Sequence, residues 1–208
     1  GRSKQGVVRY QKAMAMPLNI EQYNHAAFRA GQMLTDIAKV ASGNRDKDEE
    51  AFLQALQNVV AHYEAYLEID REGSNLPLAL KGIADALWMA DRKPEALERY
   101  LVAIDRFGDE RESIGVDLAL DGWLSKVRSL PADDQDAAWK PLEALHNAAL
   151  ERDRNVLALR LARTELYKRN QTEGMRENII QELLKAKNLP VASVSVLEEM
   201  VDLALQRD

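Results

Sequence analysis

Apolar residues return at every third or fourth position over most of this chain, the spacing of one helix face, and alternating runs of Val, Ile and Tyr bounded by Gly, which would mark strands, are absent. The clearest stretch runs from Leu76 to Phe107. Asn75 predicts an N-cap, Pro77 suits a first turn, and Leu80, Ile83, Ala84 and Leu87 make the stripe of one helix. Asp91, Arg92 and Lys93 interrupt it, and Pro94 restarts it, because the N–H that proline lacks would be unpaired in a first turn anyway. A second helix then carries Ala96, Leu97, Tyr100, Ala103 and Ile104 and ends near Gly108.

The same pattern divides the rest of the chain. Residues Arg2 to Met16 read as a helix stopped by Pro17, and Asn19 caps a long helix to about Ala41 that carries Ala27, Ala30, Gly31 and Leu34. After the loop Ser42 to Asp46, a helix from about Lys47 to Asp70 offers Leu53, Leu56, Val60, Tyr63, Tyr66 and Leu67 as core positions. Further helices are expected over Glu110 to Leu130, with Ala119 and Trp123, and from about Asp134 to Arg152, with Trp139, Leu142, Leu145, Ala148 and Ala149 inward and Pro141 in the first turns. Asn155 then caps another, and two more follow, Thr172 to about Lys187 and Pro190 to Leu205. Glycines inside these helices, at Gly82, Gly115, Gly122 and Gly174, cost about 1 kcal/mol each relative to alanine, for which close helix packing is the compensation.

Laid on a frame of about 34 residues, Leu80, Ile83, Ala84, Leu87, Ala96, Tyr100 and Ala103 fall on the places of W-x2-L-G-x2-Y, A-x3-F and a second Ala, and Gly108 stands at the closing Pro. A shift of 35 residues sets Trp88 on Trp123, Ala84 on Ala119, and Ile69-Asp70-Arg71 on Ile104-Asp105-Arg106. The chain thus resembles the tetratricopeptide repeat family, with the helices around Gly31 and Ala61 about two turns longer than its pattern. The resemblance implies an all-α, right-handed α-α superhelix: a solenoid of antiparallel pairs over 19–70, 76–107, 110–152 and 155–187 and a terminal helix at 190–206, in one domain over 1–208.

It also implies a non-catalytic scaffold that binds a peptide or partner domain on a concave groove. The groove places would be Leu78, Lys81, Asp85, Trp88, Met89 and Trp123. These do not form the cluster of Lys, Arg and Asn found in the family's carboxylate-clamp adaptors. An alternative is that both indoles cover the seam between adjacent helix pairs.

Composition narrows the function classes. Of 208 residues 46% are hydrophobic and 30% charged, the balance of a foldable protein. No apolar run is long enough to span a membrane, and a net charge of −6 without a basic stripe speaks against nucleic acid. With no cysteine there are no disulfides or thiolate metal sites, and the compartment stays open. The start at Gly1-Arg2-Ser3, without Met, and the long helices suggest an excised internal segment of a larger bacterial repeat protein.

No catalytic constellation emerges. His25, His62 and His146 lack metal-ligand spacing, and neither a G-x-S-x-G elbow nor a P-loop occurs, so neither an enzyme nor a cofactor is expected. Asn44, Asp46 and Asp48 begin like a calcium loop, but Glu49 stands where its turn glycine belongs and Ala55 where its closing Glu belongs. Charge is uneven: Asp105 to Asp136 holds nine acidic and four basic residues, and Glu151 to Lys187 nine basic and six acidic. That asymmetry motivates a second reading, a spacer or self-association module. A third is a docking arm for an enzyme domain elsewhere.

Overall fold

Helix starts in this chain are set by groups that stand in for a missing turn. The computed structural model describes residues 2–16, 19–110 and 113–161, and all regular structure among them is helical. The elements are α1 (Arg2–Met14), α2 (Ile20–Ser42), α3 (Glu49–Ile69), α4 (Leu76–Met89), α5 (Lys93–Phe107), α6 (Ile114–Arg128) and α7 (Ala132–Glu151). An eighth helix, α8, occupies 155–161. The helices expected at 172–187 and 190–206, and Gly174, lie outside the described residues.

Asn19 caps α2 reciprocally: its Oδ1 accepts from the Gln22 N–H at 2.8 Å while its own N–H donates to Gln22 Oε1 at 3.3 Å. Asp48 caps α3 by accepting from the Ala51 N–H at 3.0 Å, so the calcium-like run is a helix start. Two expected caps are corrected. Asn75 lies in the right-handed helical region at φ −89° and ψ −4° and makes no capping bond, leaving Pro77 to open α4. Asn155 is already helical, and the first turn of α8 is capped from another helix end, where Asp109 Oδ1 accepts the Leu157 N–H at 3.4 Å.

Pro141 is also corrected: it sits in the interior of α7, not its first turns. The helical carbonyl it leaves unpaired belongs to Ala137, and both residues are exposed, so water can serve that oxygen.

Two helices stop in the same way. Asp91 and Asp153 take the left-handed conformation, at φ 62° and 55°. In each case the N–H after the aspartate reaches back to a carbonyl inside the helix, Arg92 to Leu87 and Arg154 to Ala149, both at 2.9 Å. The aspartate N–H bonds the next carbonyl along, Trp88 or Leu150. This is the Schellman stop with aspartate in the place that glycine fills at least cost.

Contacts gather the chain into two compact units, Gly1–Ala103 and Ile104–Asp208. In the first, α1 packs on α2, α2 on α3 and α3 on α4, and α2 also touches α4. One residue explains the α2–α4 approach. The ring of Tyr63, on α3, lies between two glycines: a Cβ on Gly31 would stand 2.6 Å from its Cζ, and one on Gly82 2.5 Å from its Cε2. Neither glycine could be alanine without moving the ring, which is where the helix-propensity cost of these glycines is recovered. Phe28 leans on both Tyr63 and Tyr66, centroids 6.2 and 6.0 Å away. His62 donates through Nε2 to the Ala27 carbonyl at 2.7 Å, tying late α3 to early α2 and making the pair antiparallel.

The buried stripe of α3 is Phe52, Leu56, Val59, Tyr63 and Tyr66. Leu53, Val60 and Leu67, expected in the core, are only half-buried. In the second unit α6 packs on α7, with Val116, Leu120, Trp123, Val127, Trp139 and Leu142 inside.

Candidate functional site

The half-buried side of α3 is what creates a cleft. A helix can turn only about half its circumference to one neighbour, and α3 is apolar over more than that. Its surplus residues Leu53, Val60 and Ala61, with Leu56 below, line an open depression of about 250 Å³. Across from them stand Ala86 and Leu87 of α4 and Ala90 just past its end, two of the three too small to fill the gap. The rim is polar, formed by Gln57, Glu64 and Arg92.

Those rim charges are already engaged. Arg92 Nε donates to Glu95 Oε1 at 2.7 Å, and Arg99 Nη2 to Glu64 Oε1 at 3.2 Å, which ties α5 to α3. All four side chains remain largely solvated, so each pair is worth at most about 1 kcal/mol. The rim therefore presents no net sign to an approaching molecule.

Of the groove residues expected from the sequence, five share α4. Leu78, Lys81, Asp85, Trp88 and Met89 are all half-buried. Lys81 and Asp85 occupy one another, Nζ to Oδ2 at 2.7 Å, and the second Asp85 oxygen accepts the Tyr100 hydroxyl from α5. Asp85 is thus a fastening between α4 and α5, with both carboxylate oxygens engaged. Burial and the Asp85 carboxylate together push the Tyr100 hydroxyl well above the usual tyrosine range. The Lys93 ammonium lies 5.9 Å from the centre of the Trp88 ring, a favourable cation–π placement.

Trp123 requires a correction. It belongs to the other unit and is 0% exposed, its ring 4.8 Å from Trp139 and nearly perpendicular to it, at 80°. That is the edge-to-face packing of a core. The 35-residue offset sets Ala84 and Ala119 in equally buried places but the two tryptophans in different ones, Trp88 half-buried and Trp123 enclosed against Trp139.

Part of the uneven charge is paired locally. Arg154 Nε donates to Asp109 Oδ2 at 2.6 Å and its other nitrogens to the Asp105 carboxylate and carbonyl. Arg160, nearly buried, donates to the Gly108 carbonyl at 2.6 Å and lies 3.4 Å from Asp117. A Cβ at Gly108 would run into the Ile104 carbonyl and the Leu157 side chain, so this junction of α5 with α8 needs glycine. Two basic residues of one block, Arg154 and Arg160, thus meet three acidic residues of the other, Asp105, Asp109 and Asp117, inside one unit.

Among the described residues no group of three or more His, Asp or Glu side chains could hold a metal, and no helix is long and apolar enough to cross a membrane. No family model, no curated protein and no solved structure matches this chain.

Proposed function

We propose that this chain is a non-catalytic scaffold that holds a protein or peptide partner, and that the cleft between α3 and α4 receives an apolar side chain of that partner. The carrying observation is the cleft itself, apolar along its floor, open to solvent, and rimmed by charges that neutralise each other. Such a seat suits an uncharged anchor and gives no chemistry beyond binding. The reading also takes the pairs α2–α3 and α4–α5 as tetratricopeptide-like units. Ala84, Ala96, Tyr100 and Ala103, all buried at places where that frame needs small or aromatic packing, support it.

The test is a capture experiment from native lysate with wild type, Ala61→Arg and Trp88→Ala chains, each first checked for folding by circular dichroism. Ala61 is exposed at the cleft wall, so arginine there blocks the seat without entering the core. A partner retained by wild type and Trp88→Ala but lost from Ala61→Arg supports docking in the cleft. Loss from Trp88→Ala alone moves the binding surface to the groove face of α4, and equal retention by all three refutes both positions.

A further inference from the structure

We draw no further inference here: the strongest candidate, the apolar cleft of about 250 Å³ between α3 and α4, belongs to the site already described, and nothing in the structure shows what covers it.

Discussion

Replacing Gly31 by alanine should destabilise the first unit even though alanine is the better helix former. Intrinsic propensity favours the substitution by about 1 kcal/mol. Against it, the new methyl would stand 2.6 Å from Tyr63 Cζ and closer still to Cε1, roughly 1 Å inside ordinary contact. Overpacking of this kind costs about 1–3 kcal/mol, so the net expectation is a loss of about 1 kcal/mol. The ring can yield only toward Gly82, whose own Cβ would be 2.5 Å from Cε2. In the Gly31→Ala, Gly82→Ala double variant that escape is closed, and the loss should reach about 3–5 kcal/mol, more than the two single effects together. Tyr63→Leu removes the ring atoms that clash, and on that background each alanine should stabilise by about 1 kcal/mol. Urea denaturation followed by circular dichroism measures the sums, and hydrogen exchange across α2 to α4 locates them. A stabilising Gly31→Ala in the wild-type background, or the same cost with and without the Tyr63 ring, would refute the wedge.

Other consequences can be measured on the same chain. Asp91→Gly should raise stability by about 1 kcal/mol in urea denaturation, because glycine takes a positive φ without the Cβ penalty and the Asp91–Lys93 pair it loses is exposed. Trp123→Ala should cost about 3–5 kcal/mol in the second unit and Trp123→Phe distinctly less; an unchanged melting curve for Trp123→Ala would return that indole to the surface. Stability should fall steeply above about pH 10. Burial raises the Tyr63 hydroxyl from 10.0 to about 12, and Tyr66 and Tyr100 are raised as well, by burial and by Asp70 and Asp85. The unfolded tyrosines ionise first, so stability is whole below pH 10 and each loses about 1.4 kcal/mol per pH unit from there to its folded pKa. Tyr63→Phe should flatten that slope in urea midpoints taken across the range, and an unaltered slope would show that Tyr63 ionises freely in the folded state.

The elements were legible in the sequence because helix periodicity and stop signals are local. Asn19, Pro77, Pro94 and the break at Asp91 all bear on the next few residues only, and the helices begin and end within a few residues of them. Caps that depend on a distant residue were not legible, and Asp109 closing the first turn of α8 is the example. Periodicity likewise marked α3 as apolar without saying which part of its wide stripe would be buried. Phe52 and Val59 turned inward, and Leu53 and Val60, equally apolar, became the cleft wall. The signal for the cleft was present as an excess of apolar positions over what one neighbour can cover. For Trp123 the repeat offset matched positions but not surroundings, since what buries it is Trp139, a residue outside the matching landmarks.

The seating of Tyr63 between Gly31 and Gly82 also sets where this protein can change length. Register between α2, α3 and α4 is pinned at that ring and at the neighbouring His62–Ala27 hydrogen bond, and the short link from Ile69 to Leu76 fixes the path on one side of them. On the other side the open end of the hairpin, the loop between Ser42 and Glu49, is tied to its own two arms, by the Asn44 N–H donating to the Ala41 carbonyl and by Arg45 paired with Glu49. Matched additions to both arms there would carry the loop outward while the ring and its glycines stay in place. The first hairpin, with arms of 23 and 21 residues against 14 and 15 in α4 and α5, has the proportions of such growth. A residue inserted into one arm alone would rotate everything between it and the loop by about 100° and leave that arm's apolar face turned to water.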